Sequence, residues 1–434
     1  MKLFTALLLA AGLAAPAAAA EAPARSGWTI MAYLNADADL AQIGPVLLEG
    51  LEKAGSSEGV EIVAELAVAG SSPRRLHINR RGGEPGSEFL EKAEGADMGD
   101  WRHMADFIMW AKRRYPAQHY LFFSFGHGIG WIDPTDTGMN AVFNWDKPRG
   151  GSKATMITAK PSGGYSYIST PQLADVFRLA GPVDVYFTFS CLMQMAETVY
   201  EMRDYAKVFV GSEEVIAVNR GLIGGYMAGM ERVTKGLSSS PETPAERVAA
   251  VLVNSLRETL TGYAAYPVSF SVLRAKELSG LPARAAAFAA AVRGNNERAA
   301  AAYAIANVVR MVPVYGSDRR NSSYADLYDL ARLVGEKAEK EETRAAAREL
   351  MGYISGRLVS ANASFGGAGG YFARARGIAV EMTPLARPAD AQMLPSGYDA
   401  EMTTDYAGLS FVKASGWGDF LAWTAAVWKE AGAK

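Results

Sequence analysis

The chain has 434 residues, 44 basic and 46 acidic side chains, a net charge of −2, and a single cysteine. A balance this close to neutral gives no case for binding nucleic acid or an anionic membrane, and one cysteine excludes an intramolecular disulfide framework. At about 150 residues per domain the length suits two or three structural units.

The first twenty residues read MKLFTALLLAAGLAAPAAAA. Lys2 supplies a positive start, Leu3 to Ala15 an apolar stretch, and Ala18 to Ala20 a small-residue cleavage site, the pattern of a signal peptide. Removing residues 1–20 takes away one basic group, so the net charge of −2 becomes −3 in the mature chain. The expectation is a secreted or periplasmic protein. No later apolar run is long enough to span a bilayer, so no membrane span is expected in the mature chain.

Buried strands and helices then alternate. WTIMAYLNA (28–36) reads as a strand, 39–54 as a helix despite Pro45, VEIVAELAVA (60–69) as a strand, and LHINR (76–80) as an edge or hairpin strand. Apolar residues at helical spacing follow over 98–114, then the strand-like HYLFFSFGHG (119–128). Residues 132–166 carry Gly, Pro, Lys and Ser with little periodicity, a length that marks a functional or mobile segment. A helix over 170–179 leads to the strand VDVYFTFSC (183–191), a helix over 195–205 and the strand KVFVGSEE (207–214). Strands of this apolar character between helices predict an α/β fold, a mostly parallel sheet covered on both faces, over 21–240. Beyond the turn-rich GLSSSPETP (236–244), Ala-rich helical patterns cover 245–260, 282–309 and 340–359, with strands at 267–273 and 377–382. This helix-rich part, 241–434, is expected to pack on the first and complete its core.

In parallel α/β sheets, ligands sit beyond the carboxyl ends of the strands. His127 and Cys191 both fall at such ends. An imidazole beside a thiol can take its proton, leaving a thiolate to attack a carbonyl, and then return the proton to a leaving amine. Gly128 permits close approach of substrate, and the N–H groups of Gly128 and Cys191 are candidate donors to an oxyanion. The same residues also fit a buried structural cysteine and a structural histidine. The other histidines (His77, His103 and His119) show no spacing with Cys191 that suits zinc, so no metal site is expected. A serine nucleophile is disfavoured. The one Gly-x-Ser-x-Gly match, GSSEG (55–59), precedes a strand, whereas a nucleophile elbow follows one.

Several segments, in this order, resemble the clostripain family of cysteine peptidases, relatives of the caspases, legumains and gingipains. They are WTIMAYLNADADL, FSFGHG (123–128), SCLMQMAETVYEM (190–202), GSEE (211–214) followed by Gly221 and Tyr226, and AGLSFVKASGWGDFL (407–421). The resemblance implies a caspase-like α/β/α sandwich, a His127–Cys191 dyad, and hydrolysis of protein or peptide substrates through an acyl-enzyme. It also implies self-cleavage in the 132–166 loop at a basic residue, with Lys147, Arg149, Lys153 and Lys160 as candidates. The product would be a monomer or a self-processed two-chain form. The family's acid two residues before the nucleophile, which receives a substrate Arg or Lys, is replaced here by Phe189, with Ser190 following it. Glu213 or Glu214 could supply the missing charge or merely brace the loop. No cofactor is required. Calcium serves some relatives, and Asp37 with Asp39, or Asp133 with Asp136, are acidic pairs that could contribute, without an EF-hand pattern. The alternative is a caspase-like binding or scaffold protein that kept the dyad but lost a working pocket.

Overall fold

The computed structural model describes residues 26–36, 40–68, 71–81, 83–131, 155–159, 165–263, 266–311, 322–383 and 406–432. Among these, one sheet of nine strands organises the molecule, in the order β12-β10-β9-β8-β5-β1-β2-β3-β4. Its centre is five parallel strands: β9 (Ala206–Ser212), β8 (Val183–Phe189), β5 (Ala117–Phe125), β1 (Ser26–Ala36) and β2 (Val60–Val68). Every residue of β8 is buried, as expected of a parallel strand covered on both faces.

Both margins are antiparallel. On one side β3 (Arg74–Arg81) and β4 (Glu84–Lys92) form a hairpin against β2. The first of these strands is the predicted hairpin strand. Strand β4, EPGSEFLEK, carries no apolar alternation, because as an edge strand it is exposed along most of its length. On the other side β10 (Val268–Arg274) pairs with β9, and β12 (Val359–Phe365) pairs with β10. Strands from beyond residue 241 thus extend the same sheet.

Helix α1 (Gly44–Ala54) packs with α5 (Arg220–Ser239), which in turn packs with α6 (Ala245–Leu260). Helix α2 (Trp101–Arg114) packs with α3 (Thr170–Ala180). Phe122 and Tyr186 meet Phe177 of α3, while Phe187 and Phe189 meet Phe270 and Phe189 also meets Tyr226 of α5. Alternate residues of β5 and β8 therefore feed two aromatic layers, one on each face of the sheet.

The predicted helix over 282–309 is two helices, α7 (Leu281–Gly294) and α8 (Arg298–Asn307). Asn296 stands between them at φ 54°, a left-handed residue that no helix interior accommodates. The predicted 340–359 helix ends as α10 (Glu341–Tyr353) and one wider turn, Ile354–Leu358. Helix α9 (Leu327–Lys337) and the C-terminal α11 (Ser410–Ser415) and α12 (Trp417–Ala431) complete this part.

Two short ribbons stand apart from the main sheet. Within the aperiodic 132–166 stretch, β6 (Thr155–Ala159) pairs with β7 (Tyr165–Ile168). Strands β11 (Tyr324–Asp326) and β13 (Ala379–Glu381) form the other, an antiparallel pair with Tyr324 opposite Glu381 and Asp326 opposite Ala379. No helix among the described residues is long and apolar enough to cross a membrane.

Candidate active site

The two candidate catalytic residues are brought together by strand register. Strands β5 and β8 are parallel neighbours, and their last paired residues are Phe125 and Phe189. His127 and Cys191 each lie two residues beyond that pair, so both chains leave the sheet side by side at its carboxyl edge. The two turns touch. A Cβ added to Gly128 would collide with the Cys191 carbonyl oxygen and stand 3.0 Å from both Ser190 Cβ and Met193 Cγ. Only a glycine lets the histidine turn approach the cysteine turn this closely.

Cys191 is buried at 9% exposure, and His127 is half-buried. The next residue, Leu192, has φ 62°, a left-handed conformation costly for a leucine and retained where surrounding contacts fix it. The Ile216 N–H donates to Cys191 Sγ at 3.2 Å. Ile216 belongs to the stretch after β9, and the Leu192 N–H reaches the Glu214 carbonyl on the same stretch at 3.4 Å. The thiol is thus held between the histidine turn and the segment beyond β9.

The predicted pocket residues lie close by but are committed elsewhere. Phe189 is 2% exposed. Its ring meets Tyr226 edge-on at 4.6 Å and stacks on Phe125 at 5.9 Å and Phe270 at 6.0 Å. Ser190 is buried. The Tyr226 hydroxyl is pushed up from its ordinary range by burial first and by the charge of the Cys191 thiolate second, which places it within electrostatic reach of the sulfur.

Glu213 and Glu214 are both fully buried. Glu213 Oε2 accepts from Ser269 Oγ at 2.6 Å and from the Gly377 N–H at 3.0 Å. Burial, and then the neighbouring Asp326, push its carboxyl well above the usual range, while burial pushes Asp326 up to about 6. Two neighbouring buried carboxyls repel each other when both are ionised, which favours the protonated form of Glu213. Glu214 Oε1 accepts from the Val215 N–H at 2.8 Å and so folds back on its own turn. Both therefore brace the β9 turn, and neither contact leads toward a substrate cation.

Sequence reasoning missed the fastening around the two candidate residues. Beyond Gly128 the chain runs Ile129-Gly130-Trp131, and the Tyr324 hydroxyl donates to the Ile129 carbonyl at 2.6 Å. Trp131 Nε1 donates to Glu381 Oε2 at 2.8 Å, and its ring lies 4.6 Å from that of Tyr406. On the cysteine side, the Ala379 N–H donates to the Gln194 carbonyl at 3.0 Å. Glu197, in α4 (Ala196–Glu201), accepts on Oε1 from the Glu381 N–H at 2.9 Å and from the Tyr406 hydroxyl at 2.8 Å. Its Oε2 is buried without a hydrogen-bond partner among the described residues, and burial pushes its carboxyl up to about 7. These partners lie far along the chain in short polar stretches such as NSSYAD, which carry no periodic signal.

The four basic residues of the expected cleavage loop, Lys147, Arg149, Lys153 and Lys160, and the acidic pairs Asp37/Asp39 and Asp133/Asp136 lie outside the described residues.

A model of the clostripain family matches residues 46–422, most of the chain. The chain belongs to the clostripain family. It is a cysteine peptidase of caspase-like α/β fold. Solved structures agree on the fold. A secreted C11 cysteine protease from Bacteroides thetaiotaomicron, in complex with an irreversible peptide inhibitor, superposes with a TM-score of 0.62 at 18% identity, over 90% of this chain and 99% of that one. An inactive zymogen C11 protease from Parabacteroides distasonis gives 0.62 at 17% identity, over 91% and 99%. The secreted C11 protease iotapain, also from B. thetaiotaomicron, gives 0.63 at 14% identity, over 91% and 100%. No curated protein matches the chain significantly.

Proposed function

We propose that this clostripain-family chain is a secreted or periplasmic cysteine endopeptidase whose nucleophile is Cys191 and whose general base is His127. The observation that carries the reading is the paired exit of the two residues from adjacent parallel strands, with Gly128 seated on the Cys191 backbone. His127 takes the thiol proton, and the sulfur attacks the scissile carbonyl carbon. The oxyanion is received by the N–H groups of Gly128 and Cys191. His127 then gives the proton to the leaving amine as the carbon–nitrogen bond breaks, leaving a thioester. Water, deprotonated by His127, hydrolyses the thioester and restores the thiol.

Beside the nucleophile, Ala217 and Val218 follow Ile216 in irregular backbone that makes no hydrogen bonds among the described residues. Free backbone donors and acceptors next to the thiol suit the main chain of an extended peptide.

The family's preference for Arg or Lys on the acyl side of the scissile bond has no carboxylate to support it at position 189. Phe189 supplies no carboxylate and its ring is packed in the core, Glu213 is coupled to Asp326, and Glu214 is tied to Val215. Self-cleavage between residues 132 and 166 belongs to the same reading, since Trp131 leads from the site directly into that stretch.

Digestion of a peptide library by the mature protein, with Cys191→Ala as control, tests all of this. Expected are cleavage by the native protein only and no enrichment of Lys or Arg before the cut. Equal cleavage by the control removes Cys191 as nucleophile, and strong basic preference removes the argument from Phe189. Intact mass of the two proteins reports self-cleavage: two chains for the native protein and one for Cys191→Ala.

A further inference from the structure

The β11–β13 ribbon touches both catalytic turns. From β11, the Tyr324 hydroxyl holds the Ile129 carbonyl two residues past His127. From β13, the Ala379 N–H holds the Gln194 carbonyl three residues past Cys191, and Glu381 receives the Trp131 indole N–H. The two strands are themselves in register, Tyr324 opposite Glu381. The spacing between the histidine turn and the cysteine turn is therefore set by a third element as well as by the sheet.

Tyr324 is the keystone on the histidine side. It is 2% exposed, and its own backbone is pinned by Ser322 Oγ to its N–H at 3.1 Å and by the Met311 N–H to its carbonyl at 3.0 Å. Gly130, at φ 77°, lies against it: an added Cβ there would stand 3.1 Å from the Tyr324 ring and collide with Met195 Sδ. The turn that carries His127 is thus wedged between a tyrosine of the ribbon and a methionine of the cysteine turn.

We propose that Tyr324 is a positioning residue for His127, acting through the Ile129 carbonyl to hold the imidazole against the Cys191 thiol. This rests on the reading of His127 and Cys191 as a dyad. Loss of the tyrosine hydroxyl leaves the substrate's binding surface in place and weakens the step in which proton transfer and attack must coincide, so kcat rather than KM responds.

The test compares the native protein, Tyr324→Phe and His127→Ala. Measured are the rate of Cys191 alkylation by iodoacetamide across pH, and kcat and KM on a peptide taken from the library digest. For Tyr324→Phe the expected result is a kcat lower by about tenfold, an unchanged KM, and an alkylation profile moved toward higher pH in the direction of His127→Ala. If Tyr324→Phe superimposes on the native protein while His127→Ala differs, the positioning role is refuted and the dyad stands. If His127→Ala itself superimposes on the native profile, the dyad reading falls, and the positioning role falls with it. Should Tyr324→Phe not fold, Tyr324→His, which keeps a ring and a polar donor at the position, is measured in the same way. An unchanged kcat and profile there overturn the proposal.

Discussion

Glu197 lends itself to a quantitative test. Its carboxyl is fully buried in the helix that follows the Cys191 turn. Oε1 is satisfied by the Glu381 N–H and the Tyr406 hydroxyl, while Oε2 has no hydrogen-bond partner among the described residues. Burial raises its pKa from the ordinary 4.5 to about 7. A raised folded-state value means that the native protein holds a proton the unfolded chain has released. The associated stability is complete below about pH 4.5 and is lost as the pH climbs through 7. The full loss amounts to about 3 kcal/mol. Glu197→Gln presents a neutral group of the same shape at every pH, keeps an acceptor for both donors, and escapes this loss. Relative to the native protein it should gain about 3 kcal/mol between pH 4.5 and pH 8, which for a chain of this length is a relative rise in Tm of ~3–4 °C. Thermal unfolding of both proteins across that range, in the Cys191→Ala background to prevent self-digestion, is the assay. A Tm difference that does not change with pH, or a Gln variant that loses ground as the pH rises, would refute the reasoning.

Two more outcomes are set by the geometry. Gly128→Ala forces a Cβ into the Cys191 carbonyl, so the two turns must separate. Peptidase activity should fall by about a hundredfold while circular dichroism stays native, and retention of full activity would show that the close approach is dispensable. Phe189→Ala empties the centre of the aromatic layer shared with Phe125, Tyr226 and Phe270. Denaturant unfolding should show a loss of about 3–5 kcal/mol, and a loss under 1 kcal/mol would mean that the ring stands in an accessible pocket and not in the core.

Much of the architecture was legible because parallel strands buried on both faces read as plain apolar runs. The stretches ending at Phe125 and Phe189 are such runs, and His127 and Cys191 at their ends stand out as candidates from their chemistry. That they meet could not be read from either run, since it depends on β5 and β8 being neighbours, which is a property of strand order. The acid expected from Glu213 was legible as a residue but not as a charge. Its protonation is set by burial and by Asp326, more than a hundred positions away in the chain. Strand β4 escaped because an edge strand has no buried face to pattern, and the β11–β13 ribbon because three-residue strands are too short to show a period.

The origin of that ribbon bears on when the enzyme can act. Synthesis proceeds from the amino terminus, so His127 and Cys191 are made more than a hundred residues before Tyr324, Ala379, Glu381 and Tyr406. During that interval the two turns lack the ties that the ribbon adds to those of the sheet. On the positioning role proposed for Tyr324, full activity is expected only once these last-made residues have docked on the two turns.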